Sequence, residues 1–243
     1  MKSRIKALTE TNTAASGMNR VLVWDLPTRL FHWLLALSFA GAFLTADSER
    51  QRDIHVLLGY TFAGLVAFRL VWGIAGTRYA RFPSFGFAPR EIGRYLGSLL
   101  SGAPRRYVGH NPAGSVAIFL MLGLGTAIAA SGIAMFNGFG GDGLEELHEG
   151  AANAMLAVVL VHVAGVLVSS VLHRENLIRS MITGRKLGEP GEGIRSSRAW
   201  LGALLLAAVL AFWYGYPSWT AVETAAERTA PTHVSVLDET AHR

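Results

Sequence analysis

Apolar residues gather in five long blocks along the chain, at residues 30–46, 55–75, 112–136, 148–172 and 199–216. About 20 apolar residues in a helix cross the hydrocarbon core of a bilayer. The pattern therefore predicts five membrane helices. The first block is short, and residues 21–26, with Trp24, are expected to extend it into the interface. Between the second and third blocks lies a loop with Pro83, Pro89 and Pro104. A short surface helix is expected there around residues 90–100. The expected organisation is a disordered cytoplasmic tail at 1–20, a helical membrane domain at 21–186, a linker and fifth helix at 187–216, and a polar tail at 217–243.

Composition agrees with this reading. The chain is 51% hydrophobic and 16% charged, against roughly a quarter charged in soluble domains. It has no cysteine, which excludes disulfides, iron–sulfur ligation, cysteine zinc sites and thioether attachment of haem. The first twenty residues contain no apolar stretch, so no cleaved signal peptide is expected.

The net charge of +5 finds its explanation in topology. The N-terminal tail and the loops after the second and fourth blocks carry 17 Lys and Arg, and the three alternate connections carry four. The positive-inside rule then places the N-terminus in the cytoplasm and the C-terminus outside, in the periplasm of a bacterium.

Eight histidines are present. His233 and His242 fall in the polar tail and His110 in a basic loop, and all three are expected to be solvated. His32, His55, His148 and His162 lie within or beside the apolar blocks, where an ionisable side chain is costly and marks function. His55 and His148 begin their blocks at the outer edge. His32 and His162 each lie 14 residues deeper, about 21 Å along a helix. The four sort into an outer pair, His55 with His148, and an inner pair, His32 with His162. Fourteen residues at about 100° each return close to the starting direction, so His148 and His162 share one helix face. Cofactors are commonly held inside helix bundles, and two neutral imidazoles across one porphyrin suit electron transfer. The expected fold class is all-α: an integral membrane four-helix di-haem bundle with a fifth C-terminal transmembrane helix.

Other residues keep alternatives. His173, 11 residues after His162, could replace it as inner ligand. Arg69, 14 residues below His55, either snorkels to the cytoplasmic surface or pairs with a haem propionate. Gly59, Gly64, Gly114, Gly123, Gly125 and Gly132 allow close approach of helices or of a flat macrocycle.

The runs V-W-D-L-P-T-R-L-F-H-W ending at Trp33, H-V-L-L-G-Y from His55, F-R-L-V-W around Arg69, L-H-E-G-A-A-N-A around His148 and L-H-R-E-N-L-I from Leu172 resemble the prokaryotic cytochrome b561 family. That family includes the b-type subunit of membrane-bound nickel–iron hydrogenases. The resemblance covers residues 21–186. It implies two non-covalent haem b groups with axial ligands at His32, His55, His148 and His162, quinone as a reaction partner, and membership of a respiratory chain. A periplasmic redox protein, either a c-type cytochrome or a dehydrogenase or hydrogenase, is the expected second partner. The fifth helix and the tail are additions to the four-helix pattern.

Two other functions fit parts of the pattern. One is a self-sufficient superoxide:quinone oxidoreductase, against which the acidic stretch 138–149 counts. The other is a histidine-based metal-ion transporter, which the pairing in two levels disfavours. A zinc protease is disfavoured further, because His148-Glu149 is followed by Gly150, Ala151 and Ala152 and not by the pattern H-E-x-x-H.

Overall fold

The computed structural model describes residues 18–102 and 105–229, with backbone only for Leu100 and residues 217–229. Residues 1–17 of the expected tail and residues 230–243, with His233 and His242, lie outside the described residues.

Five helices are long and apolar enough to cross a membrane. They are α1 (Leu26–Thr45), α2 (Arg52–Ala75), α4 (Pro112–Phe136), α5 (Asp142–Leu172) and α7 (Ala199–Thr229). Two shorter helices complete the set, α3 (Pro89–Leu100) and α6 (Leu177–Thr183). Fold class and span count agree with the sequence reading. Helices α1, α2 and α5 begin three to six residues before the apolar blocks. Hydropathy registers only the apolar part of a helix, whereas the backbone ladder runs on through polar interfacial residues. Helix α7 likewise continues past Pro217 to Thr229.

Side-chain caps start α1 and α4. Asp25, in extended conformation, caps α1 by accepting from Thr28 N–H at 2.8 Å, with Pro27 in the first turn. Asn111 caps α4 by accepting from Gly114 N–H at 2.7 Å, followed by Pro112. Both are favoured cap residues, and proline suits a helix start because no N–H is lost from the ladder.

Helices α1 and α2 form one antiparallel hairpin and α4 and α5 another, and the two hairpins meet along α2 and α4. Phe62, Val66 and Met155 form a buried cluster at that junction, with Phe39, Leu35, Ile128 and Val159 packed around it. Gly125 makes the approach possible. A Cβ there would lie 3.2 to 3.4 Å from Phe62, Val66 and Met155, too tight without movement.

Of residues 21–26, only Leu26 belongs to α1. Instead β1 (Asn19–Leu22) pairs antiparallel with β2 (Arg185–Gly188), with Asn19 opposite Gly188 and Leu22 opposite Arg185. An interfacial segment leaves backbone groups unpaired, and a second strand satisfies them. The connection into β2 is made by Gly184. Its φ of 78° is left-handed, and its carbonyl accepts from Val23 and Trp24 N–H at 2.8 and 3.0 Å. A Cβ there would meet the Trp24 carbonyl at 2.6 Å. Val23, Trp24 and Tyr79 form a second buried cluster with Val21, Val108, Met181 and Ile194. The inner end of the bundle thus carries a folded cap. Its surface helix α3 buries Tyr95 and exposes Arg90 and Arg94.

The chain divides into two compact units, Met1–Leu206 and Ala207–Arg243. Both histidine levels belong to the first.

Candidate cofactor sites at two histidine levels

His55 stands in the first turn of α2, and His148 in the second turn of α5. Their ring centroids are 6.3 Å apart, with planes at 68°. His55 Nδ1 lies 2.9 Å from the Ala42 carbonyl oxygen of α1. His148 Nδ1 lies 3.1 Å from the Ile128 carbonyl oxygen of α4. A carbonyl only accepts, so each Nδ1 carries a proton and donates it. That leaves each Nε2 as a free lone pair, the tautomer needed for metal ligation. Ser131 sharpens the arrangement around His148. Its hydroxyl donates to Ala127 O at 2.7 Å, and its oxygen lies 3.0 Å from His148 Nδ1.

The separation has chemical meaning. An imidazole nitrogen binds a transition metal at about 2.0–2.1 Å. Adding a ring radius on each side places trans imidazole centroids about 6 Å apart. The outer pair stands at that distance. Gly59, one turn below His55, would have nothing within 4 Å of a Cβ, so the space beside the pair is open to a flat group. Gly132 is different: a Cβ there would lie 2.9 Å from His148 Cε1. Gly64 and Gly123 face outward, and Gly114 lies in the capped turn of α4. The six glycines therefore do not share one role.

Seven residues is nearly two helical turns, so side chains seven apart share a face. Phe39, Phe62 and Met155 lie seven residues after His32, His55 and His148. These three belong to the apolar cluster between the hairpins, and Phe39 and Phe62 have centroids 6.0 Å apart. Seven further residues reach Arg69 on α2 and His162 on α5. An apolar layer therefore separates the two levels.

At the inner level, His32 and His162 are half-buried and lie within electrostatic reach of each other. His32 Nδ1 is buried without a hydrogen-bond partner. Arg69 does not snorkel. It is 4% exposed, with its Cζ 5.1 and 5.7 Å from the ring centroids of Phe82 and Phe85. Its Nη1 has no hydrogen-bond partner. Asp25 is the acidic group acting on it, yet Asp25 is already committed. Its Oδ1 accepts from Thr28 N–H, and its Oδ2 accepts from Trp72 Nε1 at 3.2 Å and Thr77 Oγ1 at 2.6 Å.

His110 corrects the sequence reading. It is not a solvated loop residue. Its ring lies against Trp24 and Phe85, at centroid distances of 4.6 and 4.5 Å, and its Nδ1 is buried without a partner. Burial, then the cations Arg69 and Lys186, then His162 and His32, push its pKa down to about 3. It is neutral at physiological pH. No local signal exposed this. The loop is polar in sequence, and only its folding beneath the cap buries the ring. Lys186 is buried nearby and donates to the Tyr107 and Gly109 carbonyls at 3.0 and 3.3 Å, and burial lowers its pKa to about 8.

His173 sits at the C-terminal cap of α5. Its Nδ1 lies 2.9 Å from Ser169 O and its Nε2 3.3 Å from Arg105 O. Both ring nitrogens are directed at protein carbonyls.

A family model described as prokaryotic cytochrome b561 matches residues 23–184. Among curated proteins, the "Probable Ni/Fe-hydrogenase B-type cytochrome subunit" of Rhizobium leguminosarum bv. viciae is 27% identical over 214 residues, spanning 69% of this chain and 89% of that protein. Proteins with the same description from Azotobacter vinelandii and Cupriavidus necator are each 26% identical. They span 69% and 72% of this chain and 88% and 91% of their own length. No solved structure matches.

Proposed function

The chain belongs to the prokaryotic cytochrome b561 family, and on that premise we propose that it is a di-haem conduit carrying electrons across the inner membrane between quinone and a periplasmic redox protein. It is an integral membrane cytochrome b, and haem b supplies reversible one-electron chemistry at its iron. The observation that carries the proposal is the outer histidine pair. Two imidazoles face each other across 6.3 Å, each with Nδ1 donating to a carbonyl from a neighbouring helix.

In this reading His55 and His148 hold the outer haem. The carbonyls of Ala42 and Ile128 set their tautomer and angle. His32 and His162 hold the inner haem. His173 is disfavoured because its two nitrogens face carbonyls. Phe39, Phe62 and Met155 keep water out of the space between levels. The concentration of Lys and Arg on the cap supports a cytoplasmic N-terminus and periplasmic C-terminus.

The outer mouth bears exposed Asp142, Glu145, Glu146 and Glu149 on α5, Asp53 on α2 and Glu49 just before it, an acidic excess over the exposed Arg50 and Arg52. That charge suits docking of a basic protein surface and repels a small anion such as superoxide. The relatives are described as hydrogenase cytochrome subunits, which makes a hydrogenase or related dehydrogenase one candidate partner and a c-type cytochrome the other. Among the described residues, no group of three or more His, Cys, Asp or Glu converges as for a bare metal ion, which counts against a transport path.

The test is a reduced-minus-oxidised spectrum of the purified protein, with haem and protein assayed together. Two b-type haems per chain, reducible by a quinol, are expected. Absence of haem overturns the proposal, and a single haem overturns the two-level reading. Rapid reduction by superoxide, with quinone as acceptor, would favour the self-sufficient oxidoreductase instead.

A further inference from the structure

The inner level holds a buried cation that forms no ion pair among the described residues. Arg69 is buried on a membrane helix, and Phe82 and Phe85 face its guanidinium. A buried charge is costly unless it is paired and hydrogen-bonded. Among the described residues Arg69 forms no ion pair, and its Nη1 has no hydrogen-bond partner. The oxygens of Asp25 already accept from Thr28, Trp72 and Thr77. Asp25 therefore orients Arg69 electrostatically and leaves part of its fork free.

His110 presents a second orphan at the same place. Its ring and Arg69 both contact Phe85, and its Nδ1 is buried and unpartnered. A neutral imidazole can offer one N–H. Arg69 Nη1 and His110 Nδ1, both buried beside Phe85, supply a guanidinium and an imidazole nitrogen, a donor set that matches a carboxylate, which accepts several bonds at once. The charged and titratable groups acting on His110 are Arg69, Lys186, His162 and His32, and the acid that acts on Arg69, Asp25, already accepts from Thr28, Trp72 and Thr77.

We propose that Arg69 and His110 form a carboxylate clamp that grips an acidic side chain of the inner cofactor. This rests on the two-haem reading above. Haem b carries two propionates, so the clamp fixes both the depth and the rotation of the inner macrocycle. At the outer level, the hydrogen bonds of His55 and His148 to carbonyls orient the rings.

The experiment compares haem b with its dimethyl ester, in which both propionates are neutral. Each is supplied to haem-depleted full-length protein in detergent, and occupancy of the two levels is followed by absorption. Wild-type protein should lose roughly tenfold or more in inner-level affinity for the ester. Arg69→Gln should lose a similar amount with haem b and little more with the ester. His110→Phe, which keeps a ring between Trp24 and Phe85, should show a smaller effect with the same ester dependence. The outer component serves as internal control for folding. Should Arg69→Gln lose both components, Arg69→Lys keeps the charge but not the fork, and an intermediate, ester-sensitive loss is expected. Equal inner-level affinity for acid and ester in wild-type protein overturns the clamp. So does an Arg69→Gln loss of equal size with both haems, which assigns the cation to another anion such as a lipid phosphate. Failure of either haem to bind at any level would instead overturn the two-haem reading.

Discussion

At the outer level the two imidazoles are held by backbone. Ala42 O and Ile128 O fix the Nδ1 protons of His55 and His148, and Ser131 adds a contact to the second. At the inner level His32 Nδ1 has no partner, and the environment is instead electrostatic. His110, buried against Trp24 and Phe85, feels Arg69, Lys186, His162 and His32. Carbonyl bonds orient a ring at fixed distance whatever the redox state. Buried cations act on the charge of whatever occupies the site, and so favour its more negative state. The two ends of the proposed conduit are therefore tuned by different means, orientation outside and charge inside.

The largest expected effects break the pairing itself. His148→Ala should abolish the outer spectral component and His162→Ala the inner one, each leaving the other largely intact. Depletion of the same component by both substitutions would show that the pairs are wrongly assigned. Next comes Asp25→Ala, which removes the cap of α1 and leaves the donors of Trp72 and Thr77 unpaired. A cost of about 2–4 kcal/mol is expected. Thermal melts in detergent should show the inner component lost before the outer, with Asp25→Asn milder.

Arg69→Gln removes a buried positive charge near the inner site. Redox titration should show the inner midpoint potential falling by about 60 mV or more, a tenfold change for one electron, with the outer one unmoved. An equal shift of both components would mean that the levels are not electrostatically separate. The smallest effect is reserved for Ser131→Ala. The serine oxygen accepts from His148 Nδ1–H and makes the ring a stronger donor to metal. Its loss should raise the outer potential by roughly 20–40 mV and leave the inner potential unchanged.

Much of the membrane architecture was legible in the amino-acid sequence. Blocks ending at Ala75, Phe136 and Leu172 coincide with the ends of α2, α4 and α5, because apolar length is a direct response to bilayer thickness. The grouping of the four histidines into two levels was legible for a related reason. Helical rise converts residue count to distance, so a 14-residue spacing fixes both depth and face. Helix starts were less visible, since caps and polar first turns lie outside the apolar signal. Residues 21–25 stay outside α1, and a short apolar run has no period that separates a helix extension from a strand. Its partner, Arg185–Gly188, lies more than 160 positions away.

By itself, then, the sequence determined that this chain carries five apolar runs long enough to cross a membrane, with histidines at two levels along them, because both follow from local composition and constant helical rise. Tertiary structure alone decided which neighbours those histidines meet. The carbonyls of Ala42 and Ile128 approach His55 and His148 only because α1 packs on α2 and α4 on α5. His110 looks like a polar loop residue until the cap closes over it. Burial and hydrogen-bond partnership depend on segments far apart in the chain, and no local pattern encodes them.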